Sequence, residues 1–529
     1  MILVAFLLTG CAKPDQGILP PQRPDVTPSE QPVSAMPLHL DPDPIKPMYT
    51  ELLAIDLPTV VRVALADNFD IRHARQAVHA TQGRYEATVG AAFPAIVPTA
   101  LFEHVEGSVR ATRGNLVGVG FDTFQPSVAI QWVINPGRVI YDILAARKRL
   151  LASEQQEKAV IQGILRRGAV QYYDLVLAQA GISAAHQGVL EAEELLRISQ
   201  LRIATGTGVP ADEMRADARL AERRQDLISG MKELYDASVM LAVTLHLDPS
   251  VTLIPSVTLL PPTQLVRNDL GIDELLGIAV AFRPDLESVR ALVEAATAQQ
   301  DSTWWSGFGP TLALSYQYGG ITGHASNFAA SPGVSFSGNS VGSGRILDVI
   351  TKQPLRTAIH RPDQTFSFSD QQRATAVASW RLALSVFGEL KTAKAVQTQA
   401  VIQAGRALDE VRAQVVSAAQ ASQANRQLIG LAHRQVTSAE EALRLTEVHL
   451  KAGTMTTVDV LQAQDAATQA RLRYAKAVVR YNQSQVDLLA ALGLLDETTL
   501  LAPESGGEDE TAASTVEQQE AARNAAGGG

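Results

Sequence analysis

Two periods of hydrophobic placement alternate along this chain. Ile161, Leu165, Ala169, Tyr172 and Val176 step by three and four, as do Leu472, Ala475, Val479, Asn482, Val486 and Leu489. That spacing predicts helices with one apolar seam. Val128, Ile130, Trp132 and Ile134 instead alternate with Ser127, Ala129, Gln131 and Val133. Leu312, Leu314, Tyr316 and Tyr318 do the same, as do Ala376, Ala378, Trp380, Leu382 and Leu384. A period of two predicts strands with one apolar, aromatic face and one small or polar face. A first strand around 98–106 alternates poorly.

The elements follow one order twice: a helix (57–92, then 272–305), a pair of strands, a long helix (138–204, then 388–451), a Gly-Thr turn and a returning helix. The residues repeat too. Leu196-Arg197, Gly206-Thr207, Asp212 and Ala216 recur at identical spacing as Leu443-Arg444, Gly453-Thr454, Asp459 and Ala463. Ala64, Ala66, Asp70, Arg75, Val78 and Ala80 recur as Ala279, Ala281, Asp285, Arg290, Val293 and Ala295. Two copies of one unit are therefore expected, 55–247 and 272–495, around a proline-broken linker at 248–271. The fold class is mainly α with a β part: two repeats of a long helical hairpin plus one β-hairpin each. Within the second repeat, 319–372 is rich in Gly, Ser, Asn and Pro and reads as an enlarged loop.

The ends have a different character. Cys11, the single cysteine, follows an apolar run closing in Leu8-Thr9-Gly10. This reads as a signal peptide (1–10) ahead of a lipidated cysteine, then a Pro-rich linker (11–54). Residues 496–529 read as a disordered acidic tail. A net charge of −10 without a basic block argues against a nucleic-acid surface. A lone cysteine excludes an internal disulfide and a multi-cysteine metal site. No nucleophile elbow and no His-Glu-x-x-His occurs, so neither an enzyme, a cofactor nor a metal is expected. His73 and His79, six apart on one helix, read as surface residues. A helix of 65 residues would run for about 100 Å, too long for a compact domain.

Strands of about ten residues with one apolar face suit a membrane barrel, or a soluble sheet with one buried face. Four strands cannot close, and open edges are not tolerated in lipid, so a membrane barrel would need several chains. The glycines of the two turns supply left-handed helix ends. Thr456 or Thr457 can cap the helix after the second turn, while Val209-Pro210 starts the helix after the first. Asp212 and Asp459 sit where a helix N-terminus favours carboxylate.

The run Arg444–Gln464, continuing to Leu492-Gly493, resembles the last hairpin of TolC-like outer-membrane efflux proteins. Ile55–Asp70 resembles their first helix, Trp132–Arg138 their strand-to-helix junction and Val386–Gly388 its second copy. Cys11 and the tether match the lipoprotein branch. The resemblance implies a homotrimer forming a twelve-stranded barrel in the outer membrane and a periplasmic α-barrel. It implies a passive conduit of a tripartite efflux or type I secretion system, working with a periplasmic adaptor, an inner-membrane pump and outer-membrane lipid. It also implies a periplasmic gate at Asp459 and Asp212, and adaptor docking at the turns Gly206, Thr207, Gly453 and Thr454. The junction would rest on Trp132, Gly137 and Gly388. Gln462 and Met455 replace a second acid and a basic latch partner of the family pattern. The competing reading is a coiled-coil envelope scaffold without a pore.

Overall fold

The seam spacings form helices where they predict them, and the alternating segments form one sheet. The computed structural model describes residues 38–39, 52–66, 68–110, 116–326, 364–381 and 383–500. Cys11, the expected signal peptide and residues 501–529 of the expected tail lie outside them. In chain order come strands β1 (Leu38–His39) and β2 (Leu52–Ile55), then helices α1 (Leu57–Ala66) and α2 (Phe69–Gly90). Strands β3 (Ala95–Arg110) and β4 (Leu116–Ile134) precede helices α3 (Pro136–Ala204) and α4 (Pro210–Leu245). Next are β5 (Thr252–Pro255), β6 (Leu259–Leu260), α5 (Ile272–Phe282) and α6 (Pro284–Phe308). Strands β7 (Thr311–Ser326) and β8 (Gln364–Ser379), helices α7 (Ser385–Lys451) and α8 (Thr457–Ala491), and the turn α9 (Glu497–Leu500) complete the chain. The contacts divide it into two units. Unit 1 holds residues 1–75, 156–286 and 407–529; unit 2 holds 76–155 and 287–406.

In unit 1, α8 is the central element. Ala475, Val479, Asn482, Val486 and Leu489 of its predicted seam are buried, while Leu472 stays 38% exposed. Burial extends well beyond a seam: Val478, Tyr481, Gln485 and Leu488 are covered as well. Leu165, Ala169, Tyr172 and Val176 of α3 pack in the same core. Burial pushes the Tyr173 phenol above its usual range.

The region expected to be a linker is built into this core. Asn482 accepts from Thr263 N (2.8 Å) and donates to Pro261 O (3.0 Å). The Gln485 carbonyl accepts from Leu265 N and Val266 N (3.0 and 3.1 Å), and its amide donates to Ser422 (2.7 Å). Two buried amides thus satisfy an irregular segment that would otherwise bury bare backbone groups. β2 pairs in parallel with β5 and β1 pairs antiparallel with β6. The expected linkers 11–54 and 248–271 are therefore partly strand, and the expected tail begins with an ordered turn whose Leu500 is buried.

Each helix expected to open a repeat is broken. Asn68 interrupts the first: its side chain accepts from Asp70 N (2.9 Å), starting α2, and donates to Thr244 O at the end of α4 (3.4 Å). In the second, Pro284 brings no N–H and Arg283 stands at the break. Arg283 donates to Ala491 O at the end of α8 (3.4 Å) and pairs with Asp285 (2.6 Å). In each copy the break thus reaches the C-terminus of that copy's returning helix. Asp56 caps α1 as its position suggests, accepting from Thr59 N (2.9 Å).

Unit 2 carries an antiparallel sheet in the order β3-β4-β7-β8. One register row joins Ile96, Ile130, Tyr316 and Ala374; the next joins Val97, Ala129, Gln317 and Arg373 on the opposite face. The strands are longer than their alternation suggests. β7 and β8 extend into 319–326 and 364–372, so the described ends of the expected loop are strand. β8 stops at Ser379, before the predicted end at Leu384. The sheet does not close on itself; β3 and β8 are its edges.

Candidate functional site: two hairpin tips and a strand-to-helix junction

Both Gly-Thr turns in unit 1 have one geometry. Gly206 and Gly453 adopt φ of +75° and +78°, the left-handed conformation that glycine reaches without a Cβ penalty. Gly206 N donates to Ile203 O and Thr207 N to Arg202 O (3.0 and 2.9 Å). Gly453 N and Thr454 N donate to Leu450 O and His449 O at 3.0 Å each. The threonine hydroxyls repeat the backbone bond: Thr207 Oγ1 donates to Arg202 O (3.2 Å) and Thr454 Oγ1 to His449 O (3.1 Å). One residue thus gives two donors to the orphan carbonyls that end α3 and α7, which explains threonine after the glycine.

The other repeated positions also have structural partners. Arg197 pairs with Glu194 and Arg444 with Glu441, each three residues back (2.7 and 2.8 Å). Leu443 and Ala216 are buried beside Leu195, Ile198, Leu450, Val460 and Ala467, with Leu196 and Ala463 packed on them. All four long helices contribute to this small core. Charged links extend it: Arg223, 9% exposed, reaches Asp465 at 2.6 Å, and Arg219 meets the same carboxylate. Arg471 bridges Glu191 and Glu440 (2.8 and 2.9 Å). Burial, and then the nearby Glu191 carboxylate, hold the Glu447 carboxyl above its usual range.

The two aspartates differ. Asp459 forms a capping box with Thr456, accepting from Thr456 N (2.8 Å) and Thr456 Oγ1 (2.6 Å), while Asp459 N donates back to Thr456 Oγ1 (3.4 Å). The Thr456 hydroxyl and amide hold this exposed carboxyl below its usual range. α4 starts at Val209 with no side-chain cap. Asp212 is paired with Arg215 instead (3.0 Å). The structure therefore gives both aspartates local partners at their helix starts.

In unit 2, Trp132 Nε1 donates to Ala92 O (2.8 Å). A Cβ on Gly137 would fall inside the Trp305 indole, so glycine is required there by close approach. Gly388 has open space around it, and nothing in the structure requires a glycine. Sequence reasoning missed Asn135. Its carbonyl accepts from Arg138 N (3.1 Å), capping α3, while its amide donates to Trp305 O (2.9 Å) and Gly309 O (3.3 Å). Asn before Pro-Gly is a start signal that could have found it. Among the described residues, no group of three or more His, Cys, Asp or Glu could hold a metal ion, and no helix is long and apolar enough to cross a membrane.

The fold is shared with solved outer-membrane channels. VceC of Vibrio cholerae superposes with a TM-score of 0.65 at 18% identity, covering 83% of this chain and 96% of that one. CmeC of Campylobacter jejuni gives 0.67 at 14% identity, with 88% and 97% covered. MtrE of Neisseria gonorrhoeae, solved in an open state, gives 0.64 at 18%, with 89% and 98% covered. No curated protein matches the chain significantly. The family model described as outer membrane efflux protein matches residues 60–245 and 275–494, which hold both helical hairpins and all four strands of the sheet. This chain belongs to the outer membrane efflux protein family.

Proposed function

We propose that the protein is the outer-membrane channel of a tripartite efflux or type I secretion system, a passive conduit from periplasm to exterior. The observation that carries this reading is a four-stranded sheet with two unpaired edges and an exposed apolar face. On that face of β4, apolar character runs from Trp132 to Phe124, about 27 Å of strand against a lipid-facing band about 25 Å tall. Beyond it the same face turns polar, at the His104–Asp122 pair (2.5 Å). β3 and β8 pair with neighbouring copies in a homotrimer, giving twelve strands and no edge. The α7 side chains Val396, Val401, Ile402, Leu428 and Leu431, exposed in one chain, are apolar surface for those neighbours to cover.

In this reading the hairpin tips form the periplasmic mouth. Asp459 and Asp212 line its gate. The Gly206-Thr207 and Gly453-Thr454 turns dock a periplasmic adaptor, which connects to an inner-membrane pump that supplies the energy. Cys11 carries lipid in the outer membrane. A threefold ring of Asp459 carboxylates favours cations at the mouth.

Single-channel recording of purified trimers in planar bilayers tests the proposal. Trimers should conduct, and Asp459→Asn should lower the preference for cations. Trimers that never conduct, with or without that substitution, would instead support a scaffold without a pore.

A further inference from the structure

The apolar face that α7 turns into the tip core carries an acid. Leu443 and Leu450 are buried there, and Glu447 stands between them, four residues after the one and three before the other. On α3, Glu191 precedes the buried Leu195 and Ile198 by four and seven residues. At the place matching Glu447 in the first repeat stands a neutral Gln200, whose amide donates to Glu213 (3.2 Å). The Glu191 side chain is 10% exposed. Its Oε1 accepts from Arg471 (2.8 Å) and Gln187 (3.3 Å), while its Oε2 is buried without a hydrogen-bond partner. Among the described residues, none forms a hydrogen bond or ion pair with the Glu447 carboxyl. The surrounding charges are engaged elsewhere. Glu194 of α3 is held by Arg197 (2.7 Å) and Arg444 of α7 by Glu441 (2.8 Å). Arg471 of α8 is divided between Glu191 and Glu440. Arg223 of α4, beside Gly188 of α3, is held by Asp465 (2.6 Å). Lys451, four residues on along α7, is the cation that favours a charged Glu447.

We propose that Glu447 and Glu191 form a proton-operated clasp between α7 and α3 beside the hairpin tips. Glu447 takes a proton from water, and its new O–H donates to Glu191 Oε2. When the proton leaves, two carboxylates face each other across the helix pair. Burial strengthens both the hydrogen bond to a charged acceptor and the repulsion of like charges. Burial, then the carboxylates of Glu191 and Glu194, outweigh Lys451 and hold the folded Glu447 above its usual range. The clasp is therefore fully present below the ordinary carboxylate range and is lost as pH rises through the raised folded value. Its sign is opposite to that of the Asp459 box, which is lost as pH falls through a depressed value. The two devices act in different pH windows. The role of the clasp at the mouth rests on the conduit reading above: it holds the tip helices together in acid and frees them toward neutral pH.

Amide hydrogen exchange of the full chain at 191–198 and 443–450 tests the clasp, read as protection factors so that the intrinsic pH dependence of exchange is removed. In the unsubstituted chain, protection should fall at least about twofold as pH rises through the folded Glu447 value. Glu447→Gln keeps the size and a donor but carries no charge, as Gln200 does in the first repeat. Its protection should stay at the acid level throughout. Glu191→Gln removes the facing charge and should move the midpoint of the fall to lower pH. Protection that does not change with pH in the unsubstituted chain, a fall that persists in Glu447→Gln, or a midpoint unmoved by Glu191→Gln would overturn the clasp. In planar bilayers, unsubstituted trimers should open more often as pH rises through the same range, and Glu447→Gln trimers should not respond. Conducting trimers with no such response would overturn the role of the clasp at the mouth and leave the conduit standing. Trimers that never conduct, yet keep the pH-dependent protection, would overturn the conduit and leave the clasp.

Discussion

The two hairpin tips share a turn and differ in how the returning helix starts. At both, a left-handed glycine ends the incoming helix and a threonine returns its N–H and hydroxyl to the same carbonyl. After that they diverge. At the first tip Gly208 N also donates to Arg202 O (2.8 Å), and a Cβ there would come within 2.8 Å of Ile203 N. α4 then starts on Val209 and Pro210 without a side-chain cap. At the second tip Met455 stands in place of Gly208, and Thr456 and Asp459 cap α8 with a reciprocal box. The two tips share the chain reversal, which few residues can make, and differ at the helix start, which several can.

The largest effect should come from the position where the tips differ most in space. Gly208→Ala forces backbone against backbone and should cost about 1–3 kcal/mol, whereas Met455→Ala should cost well under ~1 kcal/mol as an exposed change. Amide hydrogen exchange at each tip reads this, and equal protection losses would remove the asymmetry. A smaller effect separates the helix starts. Thr456→Ala should cost about 1 kcal/mol by loss of its cap, while Val209→Thr should stabilise α4 by roughly 0.5–1 kcal/mol if a cap is all the first tip lacks.

The smallest effect is that of pH. The folded Asp459 carboxyl titrates below its unfolded value, so its stabilising contribution is fully present above the ordinary carboxylate range and is lost as pH falls through the depressed folded value. Protection factors at 456–460, which remove the intrinsic pH dependence of amide exchange, should fall on acidification, and Asp459→Asn should abolish that fall. The uncapped start of α4 has no such box to lose.

Much of the two tips was legible in the sequence, because turns and caps are local. A glycine-threonine pair between two periodic runs gives a chain reversal directly, and the structure adds why threonine follows the glycine. The role of the aspartates was less legible. A carboxylate near a helix start suits a gate as well as a cap, and only geometry shows Asp459 held by Thr456 and Asp212 by Arg215. The junction shows the same limit. Trp132 and Gly137 stood out in the sequence, but the Trp305 ring that makes Gly137 obligatory lies far along the chain, with no local signal tying them.

The sequence by itself determined the long hairpin helices, the alternating faces of β4 and β7, the order of the elements and the resemblance to efflux proteins. Each depends on spacings within a few turns or on residues in contiguous runs. Tertiary structure decided what those elements grip. Asn482 reads as one polar position in a heptad seam, yet it holds Pro261 and Thr263 more than two hundred residues away. Gln485, Arg223 and Asp465 likewise acquire their roles from partners on other segments. Backbone periodicity is set by forces between near neighbours. The satisfaction of a buried polar group depends on which distant segment arrives beside it, and only the folded chain brings the two together.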